Sequence, residues 1–392
     1  MVKVIVHIDL NAFFVRCEEL KDPSLENKAV AVGHEGRGGI VSTCSYEARK
    51  FGVHSGMAMF QAKALCPQLT IKPVDFHYYN LMSKTFMNFI RRYTKLVEEA
   101  SIDECYADFT DIIKKQSDVT DFFITLQNEL FKETGLKCSI GVAPTKFLAK
   151  MGSDLKKPLG LTIIRRKDVS TILYPLKVED MFGIGKKTAP RLKSLDINTI
   201  GDLANKIDKE DQMVKDILGK FFYVVKDWLH GYGSDEIIYQ PEDPKSIGNS
   251  TTMMHDSNEY EEIKYYFSIL AKEVSSRAKK ENKLGNTIQI VVKDTSFKSH
   301  NKSLTFENPT NDEKYILNTA LKLYEKNFTD LTLRLVGITL QNLIDPREMV
   351  IQMTLFDYEK HEEESATKLL ISELNRKLKK PILKRASEVD KK

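Results

Sequence analysis

The chain has few of the groups that staple or embed a protein. Only five of its 392 residues are cysteines: Cys17, Cys44, Cys66, Cys105 and Cys138. The number is odd, no Cys-x-x-Cys occurs, and most lie in apolar segments. They read as free buried thiols in a reducing cytoplasm, which excludes a disulfide scaffold and a zinc site. No apolar run approaches the roughly 20 residues of a membrane span, so no membrane partner is expected. The start, Met1-Val2-Lys3-Val4-Ile5, does not read as a signal peptide, because its apolar run is short and Asp9 interrupts it. An excess of one charge is also missing. Lys and Arg number 59 against 55 Asp and Glu, a net charge of +4, too weak alone to indicate a nucleic-acid partner. The hydrophobic fraction, 42%, suits globular domains, and the length calls for more than one of them.

Two acidic positions stand out. Asp9 ends the run Val4-Ile5-Val6-His7-Ile8, and Asp103-Glu104 sits in Ala100-Ser101-Ile102-Asp103-Glu104-Cys105-Tyr106. A charge ending an apolar strand is costly unless it is exposed, paired or bound to metal. Neighbours on a strand point to opposite faces, so Asp103 and Glu104 share a site only at a strand end or tight turn. Three converging acids suit hard cations, which take oxygen ligands. With a nucleotide, two such ions catalyse in-line phosphoryl transfer. The pattern predicts strand 3–9, helix 77–97, strands 98–102 and 105–109, helix 118–134 and strand 137–143. The first helix shows in Tyr79, Met82, Phe86, Phe89, Tyr93 and Leu96, spaced by three or four residues. The order βαββαβ is the ferredoxin-like pattern. Its first and third strands are antiparallel neighbours, which brings Asp9 opposite Asp103 and Glu104.

Residues 11–76 interrupt this fold, with a helix expected at 56–65. A helix ending near Pro158 and a strand at 161–164 close it. A small helical block follows at 168–232. Residues 233–245 have linker composition, with Gly233, Pro241 and Pro244 among acids. A second βαββαβ pattern then predicts strands 246–254, 286–293, 302–306 and 332–342 with helices 259–282 and 311–327, a second domain of similar topology. A charged tail runs over 346–392.

Smaller motifs surround the acids. Gly183-Ile184-Gly185, between Leu176–Met181 and Ala189–Leu195, looks like a helix-hairpin-helix turn. Its glycines permit tight geometry and its N–H groups suit a phosphate. Lys186 and Lys187 add charge. Tyr46, Arg49 and Lys157 are candidates for a triphosphate grip, since Arg offers a planar fork and Lys a point charge. In Phe13-Phe14 one ring belongs to the core and the other suits a floor under a bound sugar. Between Lys272 and Lys302, lysines such as Lys279, Lys280 and Lys298 outnumber acids, as a backbone-binding stripe would. Gln352-Met353-Thr354-Leu355-Phe356 sets two large apolar residues in charged surroundings, as a short docking peptide does.

These segments, with Ser45-Tyr46-Glu47-Ala48-Arg49-Lys50-Phe51-Gly52 and Gly141-Val142-Ala143-Pro144-Thr145-Lys146-Phe147-Leu148-Ala149-Lys150, resemble in order and spacing the Y-family translesion DNA polymerases. The resemblance covers nearly the whole chain. It implies an α+β right-hand fold: a ferredoxin-like palm (1–10 and 77–167), small fingers (11–76), a helical thumb with helix-hairpin-helix (168–232), and a βαββαβ little finger (246–345). It implies Asp9, Asp103 and Glu104 as catalytic ligands of two Mg²⁺ ions, with the Leu10 carbonyl beside them and Mn²⁺ as a possible substitute. It implies Tyr46, Arg49 and Lys157 on the triphosphate, Ser42 and Thr43 near the nascent pair, Phe13 nearby, and Phe14 as the steric gate against ribonucleotides. Gly183, Gly185, Lys186 and Lys187 would meet DNA. Gln352, Leu355 and Phe356 are similar to the peptide by which bacterial polymerases bind the sliding clamp. Asn11 departs from the pattern, standing where many members carry a further acid.

The implied reaction is template-directed addition of deoxynucleoside triphosphates to the primer 3′ end of primer-template DNA, at low fidelity, by a cytoplasmic monomer active in damage tolerance. No run of acids suggests a proofreading exonuclease. Nucleotidyl cyclases share the palm chemistry but lack the helix-hairpin-helix and basic domain. A non-catalytic relic would not keep all three acids with Tyr46, Arg49 and Lys157.

Overall fold

The computed structural model describes residues 3–240 and 243–348, with 371 and 374. Contacts divide the chain into two compact units, Met1–Glu242 and Asp243–Lys392. The boundary falls inside the stretch expected as a linker.

The first unit holds β1 (Ile5–Leu10), β2 (Val30–Gly33), β3 (Val41–Cys44), β4 (Thr70–Lys72), β5 (Val97–Glu99), β6 (Glu104–Asp108), β7 (Cys138–Ala143) and β8 (Leu161–Ile163). Five form one sheet in the order β5-β6-β1-β7-β8. Four of these have the ferredoxin-like order, and β8 extends it in parallel beside β7. Residue period explains the packing. Val6, Ile8 and Leu10 face a core with Phe86, Ile90, Phe123 and Leu126, from the helices Phe76–Arg91 and Val119–Thr134. Ile5, on the other face, joins Phe147, Leu148 and the helical block beyond. His7 and Asp9 share that second face by strand alternation. The helix Lys146–Leu155 covers it and lies against β7. The approach is close: a Cβ on Gly141 would overlap the Ala149 carbonyl and the Ser153 nitrogen, and one on Gly152 would stand 3.2 Å from the Gly141 Cα.

Element ends differ from expectation by a few residues. The helix expected to reach 97 stops at Arg91, and β5 covers only Val97–Glu99. A separate three-stranded sheet, β3-β2-β4, carries the short helix Tyr46–Arg49 beside it.

The second unit contains β9 (Ser246–Ser257), β10 (Leu284–Asp294), β11 (Ser299–Thr310) and β12 (Leu333–Ile344), with helices Tyr260–Lys280 and Glu313–Asn327 between them. The βαββαβ sequence order holds, but the topology is not that of the first unit. The sheet runs β11-β10-β12-β9, so the second and fourth strands are central. In the first unit the first and third strands are central. The order of elements does not settle this; burial does. β10 offers Ile288, Ile290 and Val292 to the core, whereas β11 is polar and mostly exposed and takes the edge. In the first unit, the short acidic β5 takes the edge and leaves β6 inside.

Candidate active site

Asp9 and Glu104 are direct cross-strand partners of β1 and β6. Asp103 lies in the bend just before β6, so the two adjacent acids need not diverge. The bend is tied down by backbone bonds: Leu10 donates to the Asp103 carbonyl at 2.9 Å, and Ala100 and Ser101 donate to the Glu104 carbonyl at 3.1 and 3.2 Å. All three acids therefore come to one end of two central strands.

Two ammonium groups stand among them. Lys150 Nζ lies 2.7 Å from Glu104 Oε2 and 3.2 Å from Asp9 Oδ2. Lys157 Nζ lies 2.7 Å from Asp9 Oδ2 and 2.8 Å from Asp154 Oδ1. His7 Nε2 approaches Glu104 Oε2 at 3.3 Å but is not aligned as a hydrogen bond. The nearby His7 ring, and then the Lys150 ammonium, outweigh burial and hold the Glu104 carboxyl below the usual carboxylate range. Burial opposes the Lys150 charge, yet Glu104, Asp9 and Asp154 keep its ammonium above the usual range. Asp103 is shifted the other way: burial, then the charges of Asp9 and Glu104, raise its carboxyl, against a hydrogen bond from Ser101 Oγ at 2.6 Å. Among the described residues, no three His, Cys, Asp or Glu side chains are gathered tightly enough to hold an ion as they stand. Lys150 takes the space between Asp9 and Glu104, and Asp103 is engaged with Ser101. The donor set itself, three carboxylates and a main-chain carbonyl, is all oxygen and fits a hard divalent cation.

Asp9 and Asp103 open onto a cavity of about 240 Å³ that is also lined by Leu10, Ala12, Phe13, Phe14, Ser42, Thr43, Tyr46, Arg49, Ser55 and Lys157. Every residue expected around the nucleotide is in that wall. Glu104 is not part of that wall. Phe13 is 2% exposed and belongs to the core, while half-buried Phe14 stacks on Tyr79 with centroids 4.4 Å apart at 13°. Ser45 caps the helix Tyr46–Arg49, and the Arg49 guanidinium lies over the Tyr46 ring at 4.6 Å. Asn11 is buried and structural. It donates to Ser139 Oγ at 2.9 Å and accepts from the Leu159 N–H at 2.8 Å, tying the end of β1 to the segment after Lys157. A larger cavity, about 610 Å³, lies at the opposite end of β1 around Val4, Val119 and Ile163 and contains none of the three acids.

Comparison with known proteins identifies the family. The impB/mucB/samB family matches residues 8–154, its C-terminal domain residues 244–355, and the IMS family HHH motif residues 166–197. The chain is 38% identical to DNA polymerase IV of Bacillus velezensis, over 99% of this chain and 94% of that one. It is 38% identical to DNA polymerase IV 1 of Bacillus subtilis, again over 99% and 94%. The chain belongs to the Y family of DNA polymerases. It is a DNA-directed DNA polymerase of the translesion class, whose substrates are template DNA and deoxynucleotides and whose chemistry depends on divalent metal. The fold matches a solved Y-family DNA polymerase chimera, Dbh-Dpo4(243-245)-Dbh, with a TM-score of 0.77 and 25% identity over 87% of this chain and 99% of that one. No helix among the described residues is long and apolar enough to cross a membrane.

Other Y-family features are only partly as the sequence suggested. Of the two glycines in the hairpin turn, Gly183 alone has a left-handed φ, 90°. At Gly185 nothing lies within 4 Å of where a Cβ would be, so its space is open to an approaching group. Lys186 and Lys187 are exposed beside it. The arm expected as helix at Leu176–Met181 is a single 3-10 turn, Val178–Asp180. The lysines of the second unit are spread along the length of a strand. Lys279 and Lys280 end the helix that leads into β10, and Lys298 follows its far end. The ten steps along its 11 residues, at about 3.3 Å each, put roughly 33 Å between the two places. Sequence reasoning missed Lys150, His7, Asp154 and Ser55. The one available signal was the spacing of Lys150, Ser153, Asp154 and Lys157, which puts them on neighbouring faces of one helix and its exit. The segment from Gln352 to Phe356 lies outside the described residues.

Proposed function

We propose that this polymerase adds deoxynucleotides to a primer 3′ end with two Mg²⁺ ions held by Asp9, Asp103, Glu104 and the Leu10 carbonyl, Mn²⁺ serving as a substitute. The observation that carries this reading is the single cavity in which Asp9 and Asp103 face Tyr46, Arg49 and Lys157. When bound, the ions lower the pKa of the 3′-hydroxyl and stabilise the departing pyrophosphate. The protein does the rest. Arg49 and Lys157 neutralise the triphosphate, Tyr46 gives it a hydrogen-bond partner, and Phe14 meets the sugar face. Ser42 is exposed and Thr43 half-buried on the same wall, positions that suit the nascent base pair. With so few side chains over that pair, selection by shape is weak. Low fidelity and tolerance of damaged templates follow.

In this reading residues 1–10 and 77–167 are the palm, 11–76 the fingers, 168–232 the thumb, 246–345 the little finger and 346–392 a tail. Gly183, Gly185, Lys186 and Lys187 grip duplex phosphates, one to each lysine. Lys186→Ala with Lys187→Ala should then flatten the slope of log affinity against log salt by about two. An unchanged slope would mean both lysines are merely solvated. Lys279, Lys280 and Lys298 remain backbone contacts in the proposal, at two separate places. Gln352, Leu355 and Phe356 dock on a sliding clamp, which tethers a cytoplasmic monomer to the primer. Primer extension with Mg²⁺ on a long template, with and without a bacterial clamp, tests both levels. Absence of extension defeats the polymerase reading. Extension that Leu355→Ala with Phe356→Ala lowers equally with and without clamp defeats the docking reading alone.

A further inference from the structure

Lys150 does not line the nucleotide cavity, yet it is the most connected cation in the site. Its ammonium reaches Glu104 Oε2 at 2.7 Å, Asp9 Oδ2 at 3.2 Å and Asp154 Oδ2 at 3.6 Å. The side chain is only 12% exposed, so water screens these contacts little. The contacts are also selective. Lys150 and His7 both approach Oε2 of Glu104. Lys150 and Lys157 both approach Oδ2 of Asp9. Each carboxylate is thus held through one oxygen, with Lys150 common to both. Lys150 sits on a rigid element, the helix Lys146–Leu155. The Ser153 hydroxyl donates to the Lys150 carbonyl at 2.9 Å and meets His7 Nδ1 at 2.7 Å, which joins the turn bearing Lys150 to β1.

We infer that Lys150 is a positioning residue. It clamps Asp9 Oδ2 and Glu104 Oε2 together and so fixes the separation and orientation of the two carboxylates that would hold the catalytic cations. This rests on the polymerase reading above and extends it. The competing role for an ammonium here is a plain competitor that must leave before a cation enters. The two roles predict opposite signs. Without a competitor, cations bind more tightly and turnover holds or rises. Without a clamp, the carboxylates splay, and both cation affinity and turnover fall by roughly 10–100-fold, the usual scale for groups that orient metal ligands.

The test compares wild type, Lys150→Met and Lys150→Arg. Mn²⁺ binding is counted by electron paramagnetic resonance on the complex with dideoxy-terminated primer, template and matched deoxynucleotide, where no reaction occurs. Single-nucleotide kcat and KM are measured with Mg²⁺. The inference expects Lys150→Met to lose about 10–100-fold in Mn²⁺ affinity and in kcat, with the nucleotide KM within about twofold. Lys150→Arg should recover most of both, because a guanidinium also bridges two carboxylates. Tighter Mn²⁺ binding, or unchanged kcat, in Lys150→Met overturns the inference. So does a loss that follows the melting temperature and is not repaired by Arg. If Lys150→Met does not fold, Lys150→Gln, a neutral donor of similar reach, takes its place with the same expected directions. A wild type that fails to extend primers would overturn the polymerase reading instead.

Discussion

Asp103→Ala is expected to reduce nucleotide addition by on the order of 10³–10⁵, the scale of removing one preorganised charge from a phosphoryl-transfer site, without unfolding the protein. The reason lies in the surroundings of Asp103. It forms no ion pair with Lys150 or Lys157, both of which are taken by Asp9, Glu104 and Asp154. Its carboxyl is raised by burial and then by the charges of Asp9 and Glu104. A raised carboxyl means that ionised Asp103 costs the folded state stability. That cost is absent at pH values below the ordinary carboxylate range, where the group is protonated in both states, and grows as pH rises through the raised value. Asp103→Ala should therefore melt no lower than wild type at neutral pH, and any advantage should vanish in acid. Calorimetry from acid to neutral pH beside primer extension checks both halves. A variant that loses activity and melting temperature together would make Asp103 structural.

Phe14→Ala is expected to lower discrimination against ribonucleotides by about 100-fold, a typical limit for an apolar pocket rejecting one hydroxyl. Phe14 is fixed from several sides: stacked on Tyr79, edge-on to Phe76 at 6.0 Å, and tilted against Phe13 at 5.6 Å. Tyr79 is fully buried and its hydroxyl donates to Glu18 at 2.7 Å, so it should not swing into the vacated space. The gap then stays open where a 2′-hydroxyl needs it. Losing the stacked pair should cost about 0.5–1.5 kcal/mol beyond the buried area, a modest drop in melting temperature. Competition between ribo- and deoxynucleotides on one template gives the ratio. If it does not change, the gate is not Phe14, and Phe13 is next to test.

How much of this was legible beforehand depends on what each residue answers to. Asp9 showed itself because a charge ended an apolar strand, and its meeting with Glu104 followed from the βαββαβ order once strands one and three were paired. Phe13 and Phe14 both reach the cavity wall, but only Phe13 is fully buried, a difference that two identical side chains could not announce in the sequence. The sheet order of the second unit was not legible from element order. It depends on which strand of the β10–β11 hairpin is apolar enough to lie inside, a contrast visible in Ile288-Gln289-Ile290 against Asn301-Lys302-Ser303. Lys150 was hidden for a different reason. In Lys146-Phe147-Leu148-Ala149-Lys150 it looks like any solvent-facing lysine, and only the packing of that helix on β1 turns it inward. The spread of the lysines was hidden likewise: neighbours in sequence, Lys280 and Lys298 stand at opposite ends of a strand.

The close approach at Gly141 gives these catalytic charges an unexpected dependence. The helix that carries Lys150 stands where it does because Gly141 and Gly152 have no side chains to hold it off the sheet. One added methyl at Gly141 must push that helix outward, and Lys150 with it, away from Asp9 and Glu104. The reach of an ammonium to a carboxylate tolerates little of that movement. A change from glycine to alanine, the addition of one methyl group outside the nucleotide cavity, would then behave in a survey of mutants as though a charged residue of the active centre had been lost. The polarity of the site is kept in register by atoms that are absent from its own wall.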